Sequence, residues 1–302
     1  MRRAVVGWFA DEARELPWRD PACSPWGILV SEVMLQQTPV VRVLPVWREW
    51  MERWPHPANL AAEAAGEAVR AWGRLGYPRR ALRLHAAATV IAREHGGELP
   101  DTEEGLLELP GVGGYTAAAV AAFAFGRRAA VVDTNIRRVH ARLVRGEALP
   151  APSLTAAERR LAEELLPDDD AASVRWNAAV MELGALVCTA RSPRCVACPV
   201  ADACAWRAAG EPPPSYVPKG QAWHGTDRQV RGAVMAVLRV ASRPLPRELF
   251  DEPRGAAHPG PVGAELARLH ALAPGPEQLE RAVAGLLADG LAVEHDGGLA
   301  LP

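Results

Sequence analysis

The sequence predicts a mainly α-helical protein that ends in a small α+β unit, and three observations carry this expectation. Apolar residues recur at helical spacing over most of the first two hundred positions. Long alternating apolar–polar runs, the mark of half-buried strands, are missing from the same region. After the proline-rich stretch EPPPSYVPKGQAWHG (211–225) the pattern changes to short helical segments followed by a hairpin.

In chain order, PWGILVSEVMLQQTPVVRVLPVWREWMERW reads as one helix ended near Pro39 and a second starting at about Val41. AAEAAGEAVRAWGRLG, RRALRLHAAATVIAREHG, TEEGLLELP, GYTAAAVAAFAFG and NIRRVHARLVRG are further amphipathic helices closed by Gly or Pro. Residues 211–225 form a linker. Beyond it, DRQVRGAVMAVLRVA is a helix, PRELFD a short one and PEQLERAVAGLLADG a third. LAVEHDGGLALP then reads as a hairpin turning at Asp296-Gly297-Gly298. Helix, helix, helix, hairpin is the order of a winged helix, so residues 226–302 are expected to form a winged-helix-like domain, with EPRGAAHPGPVGAELARLHALAPG inserted.

At 302 residues and 49% hydrophobic, the chain is long enough for about two or three packed units. It has no uninterrupted apolar run of the length that spans a bilayer. In MRRAVVGWFADEARELPWR acidic residues follow directly on a short apolar run, which argues against a secretory signal and for a cytoplasmic location. A net charge of −2 gives no global sign of nucleic-acid binding, which would have to come from local patches. Lys219 is the one lysine among 34 basic residues.

Four of the five cysteines fall in CTARSPRCVACPVADAC: Cys188, Cys195, Cys198 and Cys204. In a cytosolic protein such a group reads as metal-bound rather than disulfide-bonded. Zinc sites pair their cysteines as two knuckles across a longer spacer. Four thiols in one compact loop suit the corners of a cubane iron–sulfur cluster instead, with zinc and unrelated buried thiols as the alternatives. Cys23 lies outside the pattern and reads as a packed thiol.

Three further stretches stand out. In LPGVGGYTAAAV (109–120), Gly111 and Gly113 flank Val112 in a tight turn between two helices, where backbone N–H groups can approach an anion; an ordinary glycine-capped helix hairpin has the same form. In AAVVDTNIRRVHARL, Asp133 follows an apolar run and precedes a helix, so it also reads as a plain N-cap. In SEVMLQQTP (31–39), Glu32 sits among Ile28, Leu29, Val30, Val33 and Met34; burial there would raise its pKa and make it a usable acid near neutrality.

The cysteine spacing resembles the cluster loop of the endonuclease-III and MutY group of DNA glycosylases, and LPGVGGYTA resembles their helix–hairpin–helix. SEVMLQQT, LPWR (16–19) and ELGALVC (182–188) resemble the MutY-type adenine glycosylases, over roughly residues 8 to 208. The resemblance implies a two-lobed helix–hairpin–helix DNA glycosylase fold. Its six-helix barrel lobe would be residues 23–133, with the helix–hairpin–helix at 105–125; its iron–sulfur lobe would be 1–22 with 134–210. It implies a [4Fe-4S] cluster on Cys188, Cys195, Cys198 and Cys204, holding a loop that presents Arg191 and Arg194 to DNA phosphates. Glu32 would protonate adenine at N7, Asp133 would stabilise the cationic sugar and Asn135 would orient Asp133. Gly111 and Gly113 would hold phosphates, Gln37 and Tyr77 would fill the gap left by the extruded base, and Arg19 would line the adenine pocket. Tyr115 stands where lyase relatives carry a Schiff-base lysine, which implies base removal without lysine-based strand cleavage. Some of Arg79, Arg80, Arg83, Arg137, Arg138 and Arg142 are expected to contact phosphates.

The expected partner is double-stranded DNA containing a mispair, bound by a monomer in the bacterial nucleoid, with adenine removed opposite 8-oxoguanine or guanine. A mismatch glycosylase for thymine or another base is one alternative. A non-catalytic iron–sulfur DNA-binding regulator is another, against which the pair Glu32 and Asp133 argues. Three departures from the family pattern are visible: Pro78 replaces a second tyrosine after Tyr77, Ala178 follows Asn177 where Gln or Glu is usual, and residues 226–302 lack the strand-rich pattern of a Nudix-like domain. With Glu277, Glu280 and Arg281 on its third helix, that region is expected to be a packing or partner-binding module.

Overall fold

The computed structural model describes residues 1–217, 220, 222–251 and 258–302; Lys219 and part of the expected insertion lie outside the described residues. The chain divides into two compact units, Met1–Glu32 with Leu99–Lys219 and Val33–Glu98 with Gly220–Pro302. This partition differs from the division at 22 and 133 drawn from the resemblance. The C-terminal region, expected to stand as a domain of its own, belongs to the same compact unit as residues 33–98.

In chain order the first helices are α1 (Arg2–Glu12), α2 (Pro25–Leu35), α3 (Val40–Arg53), α4 (Pro57–Ala61), α5 (Ala65–Ala71) and α6 (Arg79–Glu94). They are followed by α7 (Glu103–Leu107), α8 (Gly114–Phe125), α9 (Thr134–His140), α10 (Ala156–Leu165), α11 (Asp170–Leu186) and α12 (Ala205–Ala208). Helix α2 is a core helix, with Leu29, Val30 and Met34 fully buried and Glu32 buried on another side of the helix. Ala-rich α8 is buried from Thr116 to Ala122 and stops at Gly126, whose φ of 68° suits a glycine at a helix C-terminus. In the second unit Trp50 meets Trp54 and Trp72 edge-on at 4.9 and 5.7 Å, forming the centre of its core.

Five of these helices, α1, α4 (but for Ala61), α10, α11 and α12, lie outside the segments picked out from sequence. Helix α11 spreads small apolar residues around its whole circumference, so it shows no stripe; it is started by Asp169, whose carboxylate accepts from Ala172 N at 2.7 Å. Helix α10 is recognisable in retrospect from its capping box of Thr155 and Glu158. The single helix expected over NIRRVHARLVRG is also modified: α9 widens into a π-helical turn at Ala141–Arg145, closed by Gly146 at φ 73°.

The C-terminal region consists of α13 (Asp227–Val240), β1 (Leu245–Pro246), α14 (Glu248–Asp251), α15 (Gly260–His270), α16 (Pro276–Ala288), β2 (Val293–His295) and β3 (Gly298–Ala300). The three strands form one antiparallel sheet in the order β1-β3-β2. Asp296 and Gly297 both have positive φ, 49° and 73°, as a two-residue hairpin turn that matches strand twist requires. This is the winged-helix order, with one correction: the stretch read as an insertion supplies α15, whose Leu266 and Leu269 are fully buried.

The C-terminal region is tied to residues 66–70 by backbone groups. Gly66 N donates to Pro302 O at 2.6 Å, Arg70 donates to the carbonyls of Arg239 and Ala241, and Arg239 Nε donates to Val69 O at 3.1 Å. A Cβ at residue 66 would stand 2.3 Å from Pro302 O and 2.9 Å from Leu301 Cβ. Gly66→Ala is therefore expected to cost about 2 kcal/mol and lower the melting temperature, with residues 226–302 becoming more susceptible to limited proteolysis. Among the described residues no helix is long and apolar enough to cross a membrane.

Candidate active site

The first unit brings together Glu32, Tyr115, Asp133 and Asn135. Glu32 is 5% exposed on α2, and Tyr115, in the first turn of α8, donates its hydroxyl proton to Glu32 Oε2 at 2.7 Å. Burial is the main force on the Glu32 carboxyl, pushing its pKa up to about 7; the nearby charge of Asp133 adds to this, while the Tyr115 hydrogen bond and Arg19 oppose it.

Asp133 is the N-cap of α9: Oδ1 accepts from Ile136 N at 2.6 Å, and Oδ2 accepts from Asn135 Nδ2 at 2.7 Å. Burial raises its pKa above the ordinary carboxylate value, and the hydrogen bonds from Ile136 and Asn135 and the charge of Arg138 pull the other way. The two carboxyls are thus differently held. One is accepting a single phenol in an apolar setting; the other is fixed by a helix start and an amide.

Asn135 is fixed in turn. Its Oδ1 accepts from Arg138 Nη2 at 2.8 Å, and Arg138 also donates to Gly184 O at 2.6 Å and, through Nε, to Cys188 O at 2.7 Å. Arg142, 3% exposed at the π-helical turn, donates to Thr189 O at 2.7 Å, Ala190 O at 3.0 Å and Cys188 Sγ at 3.5 Å, and its guanidinium lies 4.9 Å from the Trp206 ring centroid. Arg137 pairs with Glu158 at 2.9 Å. Of the six arginines from which some phosphate contacts were expected, Arg138 and Arg142 donate to carbonyl oxygens inside the protein and Arg137 pairs through Nη2 with Glu158, its buried Nε having no hydrogen-bond partner. The widened turn explains itself here, since it is the segment from which Arg142 reaches the cysteine loop.

Arg19 lies beside this site but is committed to an ion pair. Its Nη2 is 2.9 Å from Glu182 Oε2, and Arg14 binds the same carboxylate with two side-chain nitrogens at 2.7 Å each. Burial pushes the Glu182 carboxyl up, but the two arginines outweigh it and hold it at about 2. In the cysteine loop Arg191 is exposed, whereas Arg194 donates to Leu186 O at 2.6 Å. Cys23 is half-buried, and burial pushes its thiol up to about 11, as expected of a packed cysteine.

At the hairpin between α7 and α8, only Gly111 has positive φ, 78°. Gly113 is the N-cap of α8 at φ −105°, with nothing within 4 Å of where its Cβ would be, so its conformation does not need a glycine; a positive-φ requirement applies to Gly111 alone, while the open space at Gly113 leaves the helix start accessible.

In the second unit Gln37 and Tyr77 share an unusual feature: both are non-glycine residues in the left-handed region, at φ 55° and 48°. Their loops are tied together, Thr38 Oγ1 donating to Leu75 O at 3.3 Å and Arg80 donating to Gln36 O. Arg80, 9% exposed, also lies over the Tyr77 ring at 4.6 Å, so it too is committed within the protein. Gln37 is exposed and Tyr77 is 45% exposed. Such strain of about 1–3 kcal/mol per residue persists where the surroundings over-determine the backbone, as at ligand-contacting loops.

Comparison with known proteins sets these geometries in a family. Residues 30–164 match the HhH-GPD superfamily base excision DNA repair protein family, and residues 188–204 match the iron–sulfur binding domain of endonuclease III. An adenine DNA glycosylase of Mycobacterium tuberculosis is 49% identical over 300 residues, covering 99% of this chain and 92% of that protein. The chain belongs to the adenine DNA glycosylase family. The Mycolicibacterium smegmatis member is 47% identical, over 98% of this chain and 94% of its own; the Homo sapiens member is 41% identical over 67% of this chain and 38% of its own. Among solved structures, a thermostable thymine-DNA glycosylase superimposes with TM-score 0.61 at 28% identity, over 69% of this chain and 95% of its own. An endonuclease III–DNA covalent intermediate superimposes with TM-score 0.60 at 24% identity, over 70% of this chain and 95% of its own, which shows the shared fold.

This adenine DNA glycosylase homologue carries the [4Fe-4S] loop of its family at residues 188–204. The loop's own chemistry fits the cluster. None of the four thiols is in a disulfide, and the sulfurs of Cys188, Cys195 and Cys204 lie close enough to act electrostatically on Cys198. Val200 N–H faces the Cys198 sulfur and Arg142 faces that of Cys188, as donors to thiolates do. When bound, the cluster would cross-link the four cysteines and so fix the loop's backbone.

Sequence reasoning missed Gly184 and Glu182 as parts of this site, although both fall in ELGALVC. A Cβ on Gly184 would meet Asn135 Cβ at 2.7 Å and Asn135 O at 2.8 Å, so this glycine lets α11 close on the residue that orients Asp133. A glycine in the interior of a long helix was the available signal.

Proposed function

We propose that this protein removes adenine mispaired with 8-oxoguanine or guanine in double-stranded DNA, acting as a monomer in the bacterial cytoplasm and leaving an abasic site. The observation that carries this reading is the buried Glu32, protonated up to about pH 7, beside an Asp133 held by a helix start and an amide. Glu32 gives its proton to N7 of the extruded adenine, and the C1′–N9 bond breaks with its electron pair leaving on the base. Ionised Asp133 stabilises the oxocarbenium-like sugar, oriented by Asn135, as the second carboxylate does in glycoside hydrolysis. Water then adds at C1′ and its proton returns to a carboxylate. Gln37 and Tyr77 fill the gap in the stack, whose opening costs a few kcal/mol.

Tyr115 supports release without strand cleavage. It takes the position of the lyase lysine and spends its hydroxyl on Glu32. Base-release assays on A:8-oxoguanine, A:G and T:G duplexes, with and without alkali, test the function. Adenine should be released from the first two, strands should break only after alkali, and borohydride should trap no protein–DNA adduct. Release of thymine in place of adenine would assign the thymine reading instead.

The hairpin offers a separable expectation. Gly113→Ala should leave the melting temperature near wild type, because the Cβ enters open space, yet weaken duplex binding several-fold by blocking a phosphate's approach to the helix start. Gly111→Ala should instead lose about 1 kcal/mol of stability from its positive φ. Calorimetry and titration of a labelled duplex distinguish the two.

A further inference from the structure

Within the second unit the C-terminal region places an arginine and a tryptophan against Tyr77. The guanidinium of Arg228 lies 5.2 Å from the Tyr77 ring centroid and 5.8 Å from that of Trp223. Tyr77 is 45% exposed and Trp223 47% exposed, so the row of phenol, guanidinium and indole faces solvent. Arg80 supports the phenol at 4.6 Å.

The segment that carries this row is built rather than loose. Thr226 Oγ1 donates to Trp223 O at 2.8 Å, and Gln229 Oε1 accepts from Gly225 N at 2.8 Å. Gln278 Nε2 donates to Gly225 O at 3.0 Å, tying the turn to α16. Arg281 of α16 pairs with Asp227 at 3.1 Å. A Cβ on Gly232 would lie 3.6 Å from the indole, an ordinary van der Waals distance, so Trp223 rests on α13 at this residue. Nearby, Asp289 of the same region pairs with Arg79 at 3.1 Å and with Arg231.

We propose that Arg228 and Trp223 are specificity-determining residues for the base opposite the extruded adenine, which packs against the aromatic members of the row, Tyr77 and Trp223, while the in-plane N–H groups of Arg228 donate to O8 of 8-oxoguanine. This inference rests on the adenine-glycosylase reading. Guanine carries C8–H where the oxidised base carries a carbonyl oxygen. A guanidinium is a donor-only planar fork, so the extra acceptor gains a partner that guanine lacks. Aromatic rings form a platform for an unpaired purine. The row gives the C-terminal region a part in recognition without a Nudix-like domain and without inserting α16 into a groove.

The test is equilibrium binding of the full chain to two duplexes carrying 2′-fluoro-2′-deoxyadenosine, which resists release, opposite 8-oxoguanine or opposite guanine. Wild type should prefer the 8-oxoguanine duplex. Arg228→Ala should narrow that preference by about tenfold, and Trp223→Ala should narrow it in the same direction. Arg228→Lys should fail to restore it, because an ammonium lacks the planar fork of donors. Three results would overturn the proposal: no wild-type preference, equal weakening of both duplexes by Arg228→Ala as a phosphate contact gives, or full rescue by Arg228→Lys. Failure of the underlying reading shows separately, as absence of adenine release by wild type from the unfluorinated duplexes.

Discussion

Glu32→Gln is expected to lower single-turnover adenine release by about 10²- to 10⁴-fold, the range that a positioned general acid supplies. The substitution keeps the volume of a side chain that is 5% exposed, and Tyr115 can still donate to the amide oxygen. What disappears is the proton. The fold should not suffer, and the sign of the stability change is informative. The folded-state pKa of Glu32, about 7, lies above its ordinary 4.5, so the carboxyl stabilises the fold below about pH 4.5 and loses that contribution as pH rises through 7. Above pH 7 the native protein holds an ionised carboxylate in an apolar setting. There Glu32→Gln should be more stable than wild type, by an amount on the order of 3 kcal/mol. Quench-flow or manual single-turnover assays paired with thermal melts at pH 6 and pH 8.5 check both halves. A variant that is stable and inactive separates chemistry from folding.

Asp133→Asn is expected to cost about 10²- to 10³-fold in the same assay, because it removes the fixed negative charge facing the developing cation. Helix α9 should survive, since an asparagine N-cap still accepts from Ile136 N, now 2.6 Å from the aspartate oxygen. The second oxygen is the difficulty. It accepts from Asn135 Nδ2 at 2.7 Å, and an amide nitrogen in its place would face another donor while Arg138 holds Asn135 Oδ1 in position. Substrate binding should therefore be retained while the rate constant falls, a separation visible as an unchanged duplex Kd for Asp133→Asn beside a lost rate.

The residues of this site that were readable in the sequence are those carried by short, dense motifs. Glu32, Tyr115, Asp133 and the four cysteines each sit in a run of a few residues whose order is itself informative. The arginines were not readable in this way. Arg138 and Arg142 have the same spacing whether they face phosphate or carbonyl oxygen, and only the neighbouring Cys188, Thr189 and Ala190 carbonyls decide it. Gln37 and Tyr77 were picked for their motif positions, whereas their positive φ values belong to how the loops are tied. The C-terminal hairpin was legible down to its turn because Asp-Gly requires the left-handed backbone it adopts. The grouping of the C-terminal region with residues 33–98 was not, because it depends on Gly66, Arg70 and Arg239 meeting across a long sequence separation.

The pH dependence of single-turnover adenine release, measured for wild type and Glu32→Gln on the same A:8-oxoguanine duplex, bears most directly on the proton that Glu32 is held to supply. Wild type should lose rate above about pH 7 with a single ionisation, and Glu32→Gln should be slow and flat across that range. A wild-type profile with no alkaline limb, or a Glu32→Gln profile that keeps both the limb and the rate, would contradict it.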